Sequence, residues 1–316
     1  MIPPPKPSPA TLSPPILPSW IFDRPASEGP DAAAFSSGAA LSLLHLVLHD
    51  PSLGVPGDLL RSRLALRAAV QCRKIEGRGG NEAQLRDAYL LARPGDARGP
   101  DGDMLAFWRA GTALSLRSPG WQSRLGAALP DSLQAELPAW LDAAESGRGS
   151  PVAPAIRILA TVLQAFPRQE AGALLCADVV LARSLGWDWP LPLFGPSLDR
   201  TILRAAGAGE EIGSACHAAI ARAAREAVRM AHDLARRAAR LRAVAPRLRS
   251  RGSDDAVHLF LSEEAVFPAT MLTPIIRGST TSMGGRSARR LCDRLIALGV
   301  VRELTGRATF RLYGMA

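Results

Sequence analysis

Apolar residues recur at helical spacing near the C-terminal end of the chain. They fall at intervals of three, four and three residues, which places them on one face of a helix: Ala288, Leu291, Leu295 and Leu298. Gly299 follows the last of them, at the position where helices commonly end in a left-handed residue. The pattern predicts a helix that packs by one face and exposes the other.

The residues after Gly299 have the pattern of a β-hairpin. Residues 300–304 and 309–313 are rich in strand-forming side chains, and the Thr-Gly-Arg-Ala segment between them is typical of a turn. Before the helix, a cap at Asp254 or Asp255 predicts one further helix, and residues 270–277 predict another. Residues 254–316 therefore have the order expected of a winged helix-turn-helix unit.

The preceding part of the chain is dominated by Ala and Leu, which favour helices, and β-branched residues are sparse there. Caps at Asp31, Asp58 and Asn81 predict the starts of its first three helices. Residues 186–193 contain two prolines and are expected to be irregular. The predicted fold is mostly α, with an antiparallel multi-helix body over residues 20–250 and a small winged-helix-like unit with a C-terminal β-hairpin.

The longest predicted helix covers residues 210–245 and has a narrow apolar seam. Its members alternate spacings of four and three: Ile220, Ala224, Ala227, Ala231, Leu234, Ala238, Leu241 and Ala245. The small alanines permit close approach of another helix, and a homodimer through this seam is one expectation. The opposite side is a secondary basic face of Arg222, Arg225, Arg229, Arg236 and Arg240. Three interpretations of that face stay open: a solvated surface, a nucleic-acid contact, or a partner helix.

Positive charge is concentrated in the last third of the chain. The formal net charge is +9, whereas residues 217–252 alone sum to +8 and residues 284–316 to +5. Polyanions are the partner class that such a distribution favours. Arginine supplies 36 of the 38 basic residues, because lysine occurs only at Lys6 and Lys74. This skew also fits a codon bias, which weakens the argument from charge alone.

The N-terminal residues and the cysteines indicate the compartment. Residues 1–19 carry eight prolines and predict a disordered tail without the features of a signal peptide. No run of 18 apolar residues occurs, so no membrane span is expected. The four widely spaced cysteines have no metal-site spacing and are expected to be buried thiols. These features together predict a cytoplasmic protein.

Duplex DNA is the partner that the terminal unit suggests, because a helix fits the major groove and arginine pairs with guanine edges and phosphates. The expected contacts comprise the exposed side of the helix and the hairpin: Arg286, Ser287, Arg289, Arg290, Arg294, Arg307 and Arg311. The alternative is a unit that contacts protein, with solvated arginines.

No motif in the chain predicts catalysis, a metal site or a cofactor. His45 and His49 have the spacing of a metal dyad but lack a third ligand nearby. A set of charged residues lies within apolar helical stretches and is expected to form internal ion pairs: Arg63, Arg67, Glu82, Arg86, Asp87, Asp178 and Arg183. A small-anion pocket or an enzymatic site built from this set is the minority interpretation.

Several segments resemble an uncharacterised bacterial family, the domain of unknown function numbered 1403. They include GRGGNEAQLRDAYLL, ADVVLARSLGWDWPLPLF and RRLCDRLIALGVVRELTGRATFRLYG, and the likeness covers nearly the whole chain beyond the proline tail. The resemblance implies an alphaproteobacterial, often plasmid-borne protein with no assigned activity. VRELTGRATFRLYG is also similar to the helix-turn-helix unit of some Fic-like proteins, although the Fic motif HPFxxGNG is absent.

Three functions follow as hypotheses, the third and weakest being a small-anion-binding or enzymatic helical body built on the polar set. The first is a DNA-binding protein with a regulatory or plasmid-maintenance role, whose helical body dimerises or senses a partner. The second is a helical scaffold that contacts other proteins and binds no nucleic acid.

Overall fold

The computed structural model describes residues 29–93, 95–145, 150–248, 252–273, 283–307 and 309–316. The fold is mostly α, as predicted, with a C-terminal β-hairpin. The α-helices are α1 Pro30–His49, α2 Gly57–Ile75, α3 Glu82–Leu91, α4 Gly99–Thr112, α5 Trp121–Ala128, α6 Asp131–Gln134, α7 Leu137–Glu145, α8 Val152–Ala165, α9 Glu170–Ser184, α10 Arg200–Gly207, α11 Gly213–Val244, α12 Ser253–Ser262 and α13 Gly285–Ala297. The predicted tail over residues 1–19 lies outside the described residues.

Helices α1 and α11 form the most extensive helix pair. Ser37 near the start of α1 lies 2.7 Å from His217 near the start of α11, measured from Oγ to Nδ1. At the other end, Arg242 of α11 donates a hydrogen bond of 3.0 Å to the carbonyl of Gly54, which follows α1. The two helices therefore run parallel, whereas α8 and α9 form a hairpin closed by residues 166–169.

The predicted seam of α11 is confirmed as a buried face. Its members from Ile220 to Leu241 are fully buried, and Ala245 lies at its edge as a half-buried residue. Helix α1 of the same chain packs along α11, which leaves this seam no exposed apolar surface for a second copy. A homodimer through it stays a prediction, and it would require the α1–α11 pair to open.

Helix α1 is the one described helix that is long and apolar enough to cross a membrane by length and composition. Its leucines at positions 41, 43 and 44 are buried, and α11 covers much of its length. A core helix of a folded protein can have the same length and composition, so these two features alone do not indicate a membrane span.

Among the residues proposed as helix caps, Asn81 is confirmed. Asn81 accepts a hydrogen bond from the backbone N–H of Gln84, and the Gln84 side chain accepts one from the Asn81 N–H, which completes a capping box. The caps at Asp31 and Asp58 were wrong, because these residues lie inside the first turns of α1 and α2. Asp254 and Asp255 likewise lie inside the first turn of α12, whose cap is Gly252. An acidic side chain in a first turn interacts favourably with the helix dipole without being the cap.

The terminal unit continues from α12 through a short extended segment. Val266 pairs with Tyr313 in an isolated antiparallel bridge, and a π-helical turn, Pro268–Leu272, follows. This turn covers the beginning of the helix predicted at residues 270–277, and residues 274–277 lie outside the described part of the chain. Helix α13 then leads into strands β1 Val301–Glu303 and β2 Tyr313–Met315.

The second strand begins later than the sequence predicts. Val301 pairs with Met315 and Glu303 with Tyr313, so β2 includes Gly314 and Met315 instead of residues 309–312. A Cβ at Gly314 would lie 3.0 Å from Leu304 Cδ1 and 3.1 Å from the Glu264 carbonyl oxygen, so glycine permits a close approach inside the strand.

The buried side chains of the helical body and the terminal unit form one hydrophobic cluster. Leu60 of α2, Leu291 and Leu295 of α13, and Val301 of β1 all belong to it. The predicted division into two domains near residue 250 therefore stays a prediction. The hydrophobic core is continuous across that position.

Candidate nucleic-acid interface

Helix α13 packs by the face that its spacing predicts. Ala288, Leu291 and Leu295 are buried together with Cys292, and Gly299 ends the segment at a φ of 70°. The helix contacts β1 and the turn at Pro268–Leu272. These contacts fix α13 on the molecule and point its remaining side chains outward.

The outward side of α13 carries unpaired positive charge. Arg286, Ser287, Arg289, Arg290 and Arg294 are all exposed. Among the described residues, none of these four arginines has an ion-pair or side-chain hydrogen-bond partner. Arg286 and Arg290, and then Arg290 and Arg294, are four residues apart, and like charges at this spacing destabilise a helix. An anionic partner would remove that cost.

The first turn of α13 has backbone donors without a side-chain cap among the described residues. Its cap is Gly284, which provides no side-chain hydrogen bond to the helix. The first N–H groups of a helix lack internal partners and attract anions together with the helix dipole. Arg286 and Ser287 lie in this same turn, so the charge and these donors occupy one end of the helix.

Glu303 shapes the turn of the hairpin. Its carboxylate accepts hydrogen bonds from the backbone N–H of Thr305 at 2.7 Å and of Gly306 at 2.8 Å, and from the Thr305 hydroxyl. Partial burial would raise the pKa of Glu303, but these hydrogen bonds outweigh it and lower the pKa. The carboxylate is therefore ionised and holds the turn in place.

The two hairpin arginines have different surroundings. Arg307 lies 3.7 Å from the carboxylate of Asp87 in α3, although its side chain is 57% exposed. Arg311 is exposed, and its Nε donates a hydrogen bond of 3.0 Å to the Arg307 carbonyl. The hairpin tip thus rests against the helical body through Arg307, while Arg311 lines a cleft to which Arg289 of α13 also contributes.

Several arginines of the secondary basic face of α11 are engaged in contacts within the chain. Arg236 pairs with Asp233 at 3.1 Å, Arg222 approaches the Ser197 carbonyl at 3.5 Å, and Arg240 donates to the Ala316 carbonyl at 3.1 Å. Arg225 is half-buried, and Arg229 is exposed. The last turns of α11 therefore contact the terminal strand through Arg240.

Ion pairs join the terminal unit to the body. Glu264 pairs with Arg63 of α2 at 2.7 Å, and Glu263 pairs with Arg109 of α4 at the same distance. Burial raises the pKa of Glu264 despite the nearby Arg63 guanidinium. Arg63 was predicted to belong to an internal ion network, but its partner Glu264 was not predicted, because residues about two hundred positions apart leave no sequence signal of pairing.

Five members of that polar set lie together around Glu264, whose carboxylate is acted on by the charges of Arg63, Glu82 and Arg86. Arg67 lies 3.7 Å from Glu82, and Arg86 pairs with Asp87 at 2.7 Å. Asp178 was wrongly grouped with them, since it lies apart on α9 and accepts hydrogen bonds from the backbone N–H groups of residues 193–195. Arg183 lies over the Trp121 ring.

The remaining chemical candidates have structural roles. His45 Nδ1 lies 3.0 Å from Nε1 of Trp187, which donates to it, and the His45 and His49 rings stack. All four cysteines are buried free thiols, as predicted, and burial raises the pKa of each to about 12. Within the described ranges, no group of three His, Cys, Asp or Glu side chains is placed to hold a metal ion.

Comparison with known proteins gives a family assignment. The comparison with curated proteins found no match for the chain. A family model described as "Protein of unknown function (DUF1403)" matches residues 7–315. That match covers nearly the whole chain, and the chain therefore belongs to the DUF1403 family.

Proposed function

We propose that the protein binds double-stranded DNA through α13 and the adjoining hairpin, in a regulatory or plasmid-maintenance role. The observation that carries the proposal is the row of exposed arginines on α13 without partners among the described residues. Asp293 is the one acidic residue of α13 and forms no ion pair with them among the described residues, and DNA phosphates are the polyanion that a basic helix fits best.

The architecture around α13 supports this proposal. A helix, a bridged extended segment, a turn, a second α-helix and a hairpin occur in this order, which resembles a winged helix with the turn at Pro268–Leu272 in the place of its middle helix. Helix α13 occupies the place of the recognition helix in that order. Its uncapped first turn offers N–H groups to a phosphate, and such contacts position a helix on a duplex.

One observation supports the alternative hypothesis of a protein-binding scaffold. On α11, Asp233 lies within salt-bridge distance of both Arg236 and Arg237, and Arg240 is engaged with the terminal strand. Charge on that face is therefore partly neutralised within the chain, as expected of a surface that serves packing or protein contacts. The α13 arginines form no ion pair within the described residues, and for this reason DNA binding is preferred.

The test is the affinity for a labelled duplex of mixed sequence at low salt, measured by fluorescence anisotropy. A variant with Arg286, Arg289, Arg290 and Arg294 changed to Ala is expected to bind about tenfold or more weakly, because phosphate contacts supply most of non-specific affinity. The matched control changes four exposed body arginines to Ala, namely Arg78, Arg168, Arg200 and Arg204, and loses the same charge. Equal losses in the two variants, or no binding by the wild type, would reject the proposal.

A further inference from the structure

A cleft lies between α13 and the C-terminal hairpin. Its volume is about 520 Å³, within the range of pockets that hold small ligands. Phe267, Phe310 and Tyr313 line it with aromatic carbons, and Arg289, Arg311 and Asp293 add charged groups. The cleft therefore combines aromatic rings with both signs of charge, next to the basic surface of α13.

Phe310 is the most unusual residue of the cleft. Its side chain is 55% exposed, whereas Leu312 and Tyr313, two and three residues later, are buried. Its φ is 56°, and among the described residues it is the one non-glycine residue with a positive φ. A bulky residue in this conformation is strained, and such strain clusters at binding sites. The backbone thus holds an aromatic ring toward solvent at a cost to the free protein.

The ring of Phe310 has a second aromatic ring beside it. The centroids of the Phe267 and Phe310 rings are 6.3 Å apart, and their planes are inclined by 39°. Both rings line the cleft, so a flat aromatic ligand can contact either of them. Stacking on such side chains tolerates any nucleobase, because every base has a π face.

The charged groups around the cleft suit a nucleotide. Arg289 has no ion-pair or hydrogen-bond partner within the described part of the chain, and its guanidinium can donate to a phosphate. Arg311 has no ion-pair partner there either, but it shares a hydrogen bond with the Tyr313 hydroxyl and is attracted by the Glu303 carboxylate, and its remaining N–H groups can donate to the same phosphate. Arg311 uses its Nε on the Arg307 carbonyl, which orients the rest of its guanidinium. Asp293 is exposed and supplies a carboxylate that can accept a hydrogen bond from an exocyclic amino group of a base.

We infer that this cleft binds one unpaired nucleotide, with its base on Phe310 and Phe267 and its phosphate between Arg289 and Arg311. The inference rests on the proposed function, since the nucleotide would be an unpaired position of a strand held on the adjacent α13 surface. A free nucleotide has the same chemistry and is the other source of the ligand.

The test compares a single-stranded oligonucleotide with the blunt duplex that contains it. Changing Phe310 to Ala is expected to weaken single-strand binding about tenfold, because stacking contributes roughly 1–3 kcal/mol per base. Duplex affinity is expected to stay within about twofold, since a paired base is not available to the cleft. The matched control is Phe35→Ala on α1, where the side chain is 56% exposed.

A second variant makes the result independent of any effect on folding. Phe310→Trp keeps a stacking ring and is expected to retain single-strand affinity, with its fluorescence quenched when the oligonucleotide binds. Unchanged single-strand affinity in Phe310→Ala, an equal loss on single strand and duplex, or no nucleic-acid binding at all would overturn the inference. Absence of quenching in a bound Phe310→Trp variant would overturn it as well.

The outcomes separate this inference from the proposed function. Single-strand binding that depends on Phe310, without duplex binding, would support the cleft and reject duplex binding. Duplex binding that depends on the α13 arginines, with single-strand affinity unchanged by Phe310→Ala, would support duplex binding and reject the cleft as a nucleotide site. Competition by deoxyadenosine monophosphate would identify a free nucleotide as a ligand, and its absence would restrict the ligand to a strand.

Discussion

Asp178 is a buried carboxylate that holds an irregular segment of the chain against α9. Its Oδ1 accepts hydrogen bonds of 2.8 Å from the N–H groups of Leu193 and Phe194, and its Oδ2 accepts one of 3.1 Å from Gly195. Gly195 lies against Trp108, where a Cβ would come within 2.5 Å of the indole. One side chain thus replaces the backbone partners that this proline-rich segment cannot provide for itself.

The stability of the protein is expected to depend on pH through Asp178. Burial raises the pKa of Asp178 to about 7 from an ordinary value of 3.8, and the three backbone hydrogen bonds oppose this rise without cancelling it. Between these pH values the folded state retains a proton that the unfolded state has released. The stability that Asp178 contributes is therefore fully present below pH 3.8, the ordinary pKa, and is lost as the pH rises through about 7, the pKa in the folded protein.

The measurement is the free energy of unfolding of the wild type and of Asp178→Asn across this pH range, from urea denaturation. Subtracting one curve from the other cancels the contributions of all other titrating groups, because the two proteins share them. The free energy of unfolding of the wild type minus that of the variant is expected to decrease as the pH rises. A difference that grows with pH would mean that the hydrogen bonds outweigh burial and that the pKa is lowered.

At the residue scale, local chemistry was predictable and long-range partners were not. The capping box at Asn81 and the left-handed Gly299 follow from residue types within a few positions. The partner segment of Asp178 begins fifteen positions away and was not found. The exposed Phe310 was missed, because the sequence places it in a strand and its backbone conformation depends on the turn before it.

The α1–α11 pair is the central element of the helical body. Alanines at positions 224, 227 and 231 are completely buried, and small side chains let neighbouring helices approach closely. The spacing of these alanines predicted a packed seam on α11. It could not identify α1 as the partner, because a seam of this kind accepts a helix from the same chain or from a second copy.

Enlarging a seam alanine is expected to destabilise the fold. Ala224→Leu inserts three carbons into a site with no exposed surface, and overpacking of a tight core typically costs about 1–3 kcal/mol. Ala239→Leu on the same helix is the control, because Ala239 is exposed and its change should cost less than about 0.5 kcal/mol. Thermal and urea unfolding of the two variants checks this, and equal stability would show that the seam is not tightly packed.

The whole molecule combines a helical body and a terminal unit around one core. The pairs Arg63–Glu264 and Arg109–Glu263 cross between them, and Arg237 and Arg240 contact the carbonyls of Met315 and Ala316. The sequence predicted both parts and their order. The docking between them could not be predicted, because it depends on pairs of residues far apart in the chain.

We expect the two parts to unfold together. A double-mutant cycle of Arg63→Ala and Glu264→Ala should give a coupling energy of about 1–3 kcal/mol, since both side chains are mostly buried. The exposed pair Arg236–Asp233 should give about 0.3–0.5 kcal/mol. Circular dichroism and tryptophan fluorescence should report one urea transition, and separate transitions would show independent units.

The most direct test of the central claim is the salt dependence of duplex DNA binding. Each phosphate that the protein neutralises contributes roughly −0.9 to the slope of log K against log salt concentration. The wild type is expected to give a steep slope, and changing Arg286, Arg289, Arg290 and Arg294 to Ala should flatten it by about two to four units. A slope that the four changes leave unaltered, while binding persists, would show that α13 is not the DNA-binding surface.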